Sequence, residues 1–131
     1  MVRPGAPQDS ASREDELTGM KRIDAIIRPS RLTFVREALA ELGYGGITVS
    51  EVKGHGKQRG VTEQWRGREY KVEFLSKVWI LVVVNETDTA KVVDAIADNA
   101  RTGEIGDGKI FVSDVLDVIR VRTNERGPAA V

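Results

Sequence analysis

The alternation and recurrence of apolar residues along this chain predict six regular elements. Lys21 to Arg28 places Ile23, Ala25 and Ile27 on one face, the two-residue period of a strand. Pro29 ends it, and Ser30 is a plausible helix N-cap. Leu32, Val35, Ala38, Leu39 and Leu42 then recur at helical spacing, which predicts an amphipathic helix over 31–42, stopped by Gly43, Gly45 and Gly46. Ile47 to Val52 alternates again as a half-buried strand. Val78 to Val84 is β-branched and apolar at nearly every position, as in a strand covered on both faces. Thr87 or Asp88 caps a second helix whose buried stripe is Val92, Val93, Ile96, Ala97 and Ala100, closed by Gly103. Ile110 to Val121 reads as the last strand, with a break near Asp114.

The order β-α-β, a long interruption, then β-α-β is that of an α+β, ferredoxin-like βαββαβ sandwich. Two helices cover one face of such a sheet. An apolar third strand therefore implies that the other face packs against further copies of the chain, because a large apolar sheet face does not stay in water. The domain is expected over 20–131. Residues 1–19, rich in Pro, Gly, Ser and Asp, read as a mobile extension.

The interruption itself, residues 54–74, holds four glycines, eight charged residues and the only histidine. Unstructured stretches of this length inside a small domain are usually functional. An arm reaching out from the body and a β-hairpin are the two readings of it. Trp65, Arg66 and Tyr70 are of the types enriched at binding hot spots.

Composition narrows the chemistry. The chain has 131 residues, enough for one domain, with 20 basic and 20 acidic residues and a formal net charge of zero. That balance lacks the basic footprint of a nucleic-acid binder. With no cysteine, disulfides and thiolate metal sites are excluded, and a single histidine argues against a histidine-based metal site or a Ser-His pair. No apolar run is long enough to span a bilayer and no signal-peptide core stands at the start, so a cytoplasmic protein is the default expectation.

Two short segments carry candidate ligand chemistry. Thr102 to Phe111 (TGEIGDGKIF) joins a helix end to a strand. Gly106 and Gly108 permit positive φ, successive N–H groups in such a turn form an anion nest, and Lys109 adds a cation beside it. A phosphate cradle and a plain helix C-cap with a tight turn both fit. It is not a Walker A loop, since no Ser or Thr follows the lysine. Arg120 and Arg122, two apart on a strand, would present both guanidiniums on one face, ready to fork onto phosphate oxygens or simply solvated. At opposite ends of one strand, the two segments serve one nucleotide only across a subunit boundary or through a fold-back.

Several blocks together, KRIDAIIRP, TVSEVKGHGKQRG, RGREYKVEFLSKV, TGEIGDGKIF and VIRVRT, identify a resemblance to the PII nitrogen-regulatory signal-transduction proteins over Met20 to Val131. The resemblance implies a homotrimer with nucleotide clefts between subunits and one long loop per subunit, here about 56–74. It implies that ATP and ADP compete for a cleft made by Thr48, Gly54, His55, Gly56, Gln58, Ile105, Gly106, Asp107, Gly108 and Lys109, with Arg120 and Arg122 from the neighbouring subunit. It further implies a 2-oxoglutarate site in which Mg²⁺ bridges ATP phosphates, the 2-oxo acid and Gln58, while Lys77, Arg28 and the N–H of Gly60 bind the effector. A hard cation that accepts oxygen ligands suits that set.

By the same resemblance, Trp65 and Arg66 meet a partner such as an ammonium channel at the inner membrane or a nitrogen-metabolism enzyme, and Tyr70 matches a tyrosine that some relatives modify. Arg68 stands at the position of a phosphoserine in cyanobacterial relatives, so that switch is absent. Trp65 replaces a common Tyr, His55 a common Phe, Ser76 a usual Pro and Leu81 a frequent Glu, which bears on ribose contact and nucleotide preference. The expected function is regulatory and not enzymatic. A nucleotide hydrolase, which steady fast hydrolysis would reveal, and a divergent sensor of another effector, bicarbonate or a nucleotide, are the alternatives.

Overall fold

A computed structural model describes residues 19–54 and 75–131. Expectations for 1–18 and 55–74, including those for His55, Gly56, Gln58, Gly60, Trp65, Arg66 and Tyr70, lie outside the described residues.

The elements follow the predicted order: β1 (Met20–Ile27), α1 (Leu32–Glu41), β2 (Thr48–Gly54), β3 (Leu75–Asn85), α2 (Thr89–Ala100) and β4 (Gly108–Asp114). All pairings are antiparallel, in the order β2-β3-β1-β4. Partners across a ladder share a face. Ile23 opposite Val82, Ala25 opposite Ile80 and Ile27 opposite Val78 therefore form one buried row set. Val35 and Leu39 of α1 and Val92, Ile96 and Ala100 of α2 close over it. Each large aliphatic side chain removed from water here contributes roughly 1.5–3 kcal/mol.

The other face of the sheet carries Ile26 opposite Trp79, Asp24 opposite Leu81 and Phe111, and Arg22 opposite Val83. Among the described residues nothing comparable covers it: Trp79, Leu81 and Val83 are half-buried and Phe111 is exposed. One polar knot interrupts this apolar surface. The Trp79 indole donates to Asp24 at 2.8 Å, and Arg22 reaches the same carboxylate at 2.9 and 3.1 Å.

Three local expectations are corrected. Ser30 does not cap α1; it sits in a 3₁₀ turn, Pro29–Arg31, and Arg31 takes the cap position without a side-chain cap bond. The fixed φ of Pro29 favours that turn at once, leaving Ser30 inside it. Thr87 likewise falls in a 3₁₀ turn, Glu86–Asp88, and Asp88 holds the cap position of α2 without capping it. Its carboxylate instead accepts from the Tyr44 hydroxyl at 2.6 Å, which in turn accepts from the Asn85 N–H.

The last strand also stops early, at Asp114. Beyond it, an isolated bridge joins Ile119 to Arg126, and Arg120 to Asn124 form a turn closed by the Asn124 N–H on the Arg120 carbonyl at 2.7 Å. Among the described residues no neighbouring strand pairs with this segment, so its strand-like composition has no ladder there to join. The fold thus separates the two arginines from β4, and they do not sit at the opposite end of one strand from the glycine turn.

Candidate functional site

One end of the sheet gathers the ends of all four strands. Ile27 pairs with both Val78 and Gly108, Val52 pairs with Lys77, and Gly54 pairs with Leu75. The turn after α2 arrives at this same end. It therefore stands beside the points where the chain leaves β2 and enters β3, on either side of the 55–74 segment.

The turn is built around the Asp107 carboxylate. Thr102 donates to it through both its hydroxyl and its N–H, and Gly103 donates its N–H at 2.8 Å. Arg28, just past β1, adds its Nε at 3.0 Å and extends a second nitrogen to the Ile105 carbonyl at 2.8 Å. Lys77 on β3 donates to the Gly106 carbonyl at 2.5 Å. Gly106 and Gly108 take φ of 105° and 109°, which side chains rarely adopt, so the glycines are structural requirements of the turn. At Gly108 the backbone also lies against the Ile26 carbonyl: a Cβ would sit 1.8 Å from that oxygen.

The electrostatics follow from these contacts. The Thr102 hydroxyl, then the Thr102 N–H, Arg28 and the Gly103 N–H, outweigh partial burial and hold the Asp107 carboxyl well below the usual carboxylate range. A depressed folded-state pKa means stability that is fully present above the unfolded value and lost only as pH falls through the folded one. The turn should therefore persist at about pH 3.9, where an ordinary aspartate is half-protonated. A carbon-detected NMR titration checks this: Asp107 should still be ionised there, and a midpoint at or above the ordinary value would contradict the clamp. Burial and the nearby Arg28 charge push the Lys77 ammonium down, with Asp107 opposing.

The predicted residues divide accordingly. Arg28, Lys77, Ile105, Gly106, Asp107, Gly108 and Gly54 are brought together, with Gly54 pressed against the Lys77 side chain. The Asp107 side chain faces the turn's own donors, so its carboxylate is occupied; the backbone is what remains for a ligand. Lys109 is exposed at the edge of β4, level with Ile26. Thr48 lies on the opposite edge strand, three strand spacings or about 14 Å across the sheet, in register with Phe111 and two residues along from Lys109. Arg120 forks onto Glu125 at 2.8 Å and the Ala129 carbonyl at 3.3 Å, while Arg122 is exposed.

Thr102 was not among the predicted residues. Its signal was the spacing T-G-x-x-x-D, a hydroxyl and two N–H groups positioned to receive a carboxylate, which reads on first sight only as a helix end.

A cleft of about 220 Å³ flanks the turn on the helix side, lined by Ile27, Ala97, Ala100, Arg101, Lys109 and their neighbours. Cofactor-sized sites run to roughly 300–1,000 Å³. Among the described residues, no group of three His, Asp or Glu side chains is placed to hold a metal ion. No described helix is long and apolar enough to cross a membrane.

Comparison with known proteins gives a consistent result. The model of the family described as nitrogen regulatory protein P-II matches residues 20–125. The chain is 58% identical over 112 residues to the nitrogen regulatory protein P-II of Klebsiella oxytoca, covering 86% of this chain and 100% of that one. The P-II 1 protein of Methanothermobacter thermautotrophicus is 51% identical, covering 86% and 97%. Among solved structures, Arabidopsis thaliana PII bound to citrate aligns with a TM-score of 0.70 at 42% identity, covering 87% of this chain and 94% of that one.

Proposed function

The chain belongs to the nitrogen regulatory protein P-II family, and on that premise we propose that it works as a homotrimeric sensor of ATP, ADP and 2-oxoglutarate that regulates nitrogen-metabolism partners. The observation that carries this reading is the convergence of Arg28, Lys77 and the Ile105–Gly108 turn at the sheet end from which residues 55–74 depart. Cations and backbone N–H groups meet there, as phosphates and a dicarboxylate require. The regulatory names of the relatives accord with signalling in place of catalysis. The Arabidopsis relative is a PII protein bound to citrate, itself a polycarboxylate.

Two features favour clefts shared between protomers. Thr48 and Lys109 occupy opposite edges of one sheet, so a ligand touching both bridges two copies. The uncovered face with Trp79, Leu81, Val83 and Phe111 supplies an apolar surface for that assembly. Arg120 and Arg122 would then reach a neighbour's nucleotide, once Arg120 exchanges its intrachain partners for phosphate.

A Mg²⁺ ion fits this chemistry through ligand oxygens. The Asp107 carboxylate at the turn is already occupied, so the protein donor would be the Gln58 amide oxygen beside ATP phosphates and the 2-oxo acid. Gly60 N–H, Arg28 and Lys77 would bind the remainder of the effector. Ligand occupancy then selects which conformations of 56–74 meet a partner. That partner would be an ammonium channel, met by Trp65 and Arg66 at the inner membrane, or a nitrogen-metabolism enzyme; Tyr70 is the candidate for modification.

Calorimetry tests the reading. With Mg²⁺ and ATP present, 2-oxoglutarate should bind. Gln58→Ala should weaken it at least tenfold, the scale on which groups around a metal act, while ADP binding changes little. Equal losses for ADP and 2-oxoglutarate would remove the metal-bridging role. Binding of bicarbonate or a nucleotide effector in place of 2-oxoglutarate would favour a divergent sensor.

A further inference from the structure

A side-chain bridge closes the glycine turn. The Asp107 carboxylate receives the Thr102 hydroxyl and Arg28 Nε on one oxygen, and the Thr102 and Gly103 N–H groups on the other. A carboxylate accepts about four such bonds, so this one is full. The Thr102 hydroxyl gives its single proton to Asp107 and accepts the Glu104 N–H at 3.2 Å. The N–H groups of Thr102, Gly103 and Glu104 are thus taken up in succession. Among the described residues, the next two, those of Ile105 and Gly106, meet no acceptor. Successive unengaged N–H groups are what an anion nest needs.

We propose that Thr102 is a positioning residue for the nucleotide phosphates: by tying the Asp107 carboxylate to the start of the turn, it holds the Ile105 and Gly106 N–H groups in the arrangement that receives an anion. This rests on the nucleotide-sensor reading above and deepens it. The need for such a tie comes from Gly106. Its φ of 105° is confined by no side chain, so the peptide planes beside it depend on restraints from outside. The bridge from residue 102 to residue 107 spans those planes and supplies one. Thr102 acts through Asp107 and needs no contact with the phosphate, because its proton is already given to the carboxylate.

The test uses the full chain with Mg²⁺ and ATP. Thr102→Val keeps the branched shape and removes the hydroxyl's donor and acceptor together. ATP affinity should then fall about tenfold or more, the scale of one charge-assisted hydrogen bond. Thr102→Ser keeps both functions and should stay within about threefold of wild type. Carbon-detected NMR ties the loss to the bridge: the Asp107 carboxyl should titrate higher in Thr102→Val and stay low in Thr102→Ser. Amide NMR of the wild type needs no substitution. There ATP should move the Ile105 and Gly106 N–H resonances more than those of Thr102 and Gly103, which Asp107 already holds. Wild-type protein that binds no adenine nucleotide would overturn the sensor reading itself. Where the wild type binds ATP, any of four results would overturn this inference alone: equal binding by Thr102→Val, binding by Thr102→Ser as weak as by Thr102→Val, an unmoved Asp107 titration in Thr102→Val, or larger ATP shifts at Thr102 and Gly103 than at Ile105 and Gly106.

Discussion

Replacing Gly108 with alanine is expected to destabilise the fold by at least about 3 kcal/mol and to eliminate nucleotide binding. The φ of 109° alone costs a side-chain-bearing residue about 1–2 kcal/mol. The larger part is steric. A Cβ at this position lies 1.8 Å from the Ile26 oxygen, 2.9 Å from its carbon and 3.2 Å from the Ile27 Cα. All three are backbone atoms of β1, so no side chain can swing aside. The strain separates β4 from β1 where Gly108 pairs with Ile27, and that is where the turn must be held. Gly43→Ala is the matched control, since Gly43 has a φ of 93° but nothing within 4 Å of an added Cβ. Thermal melting should show a drop of roughly 10 °C or more for Gly108→Ala and a small one for Gly43→Ala. Equal drops would show that only the backbone angle matters.

Placing lysine at Phe111 is expected to break the assembly while leaving the subunit folded. Phe111 is 54% exposed in the single chain and opposes Asp24, so an ammonium there meets water and an acidic neighbour. In a trimer built on the uncovered face the same ammonium is buried, at a cost of several kcal/mol per ion. Sedimentation should show smaller species, circular dichroism an unchanged spectrum, and ATP binding at least about a hundredfold weaker, in line with losing about 2.7 kcal/mol or more. A trimer of unchanged mass and affinity would place the interface elsewhere.

The two contrasting faces explain how much of this was legible in the residues. Ile23, Ala25 and Ile27 on β1, and the heptad-like stripes of α1 and α2, announce themselves because their burial is satisfied within the chain and shows as a clean period. The stretch after Asp114 misleads for the opposite reason. Leu116 and Val121 are 87% and 96% exposed, and among the described residues no strand pairs with this segment. Helix starts were misread where a 3₁₀ turn intervenes, as at Ser30 and Thr87.

The glycine turn was visible as a motif, but its construction was not. Arg28 and Asp107 are 79 positions apart, and only the pairing of β1 with β4 brings them together. Read along the chain, Arg28 and Lys77 are effector cations on the strength of a resemblance, and Asp107 is a nucleotide contact. In three dimensions all three are first of all the brace of one turn, and ligand binding has to work through that brace.

The most direct test is native mass spectrometry of the full chain with ATP, Mg²⁺ and 2-oxoglutarate added in turn. The expected species is a trimer that takes up as many as one ATP per protomer, and that takes up 2-oxoglutarate only after Mg²⁺ and ATP are present. A monomer that binds no adenine nucleotide under any of these conditions would contradict it.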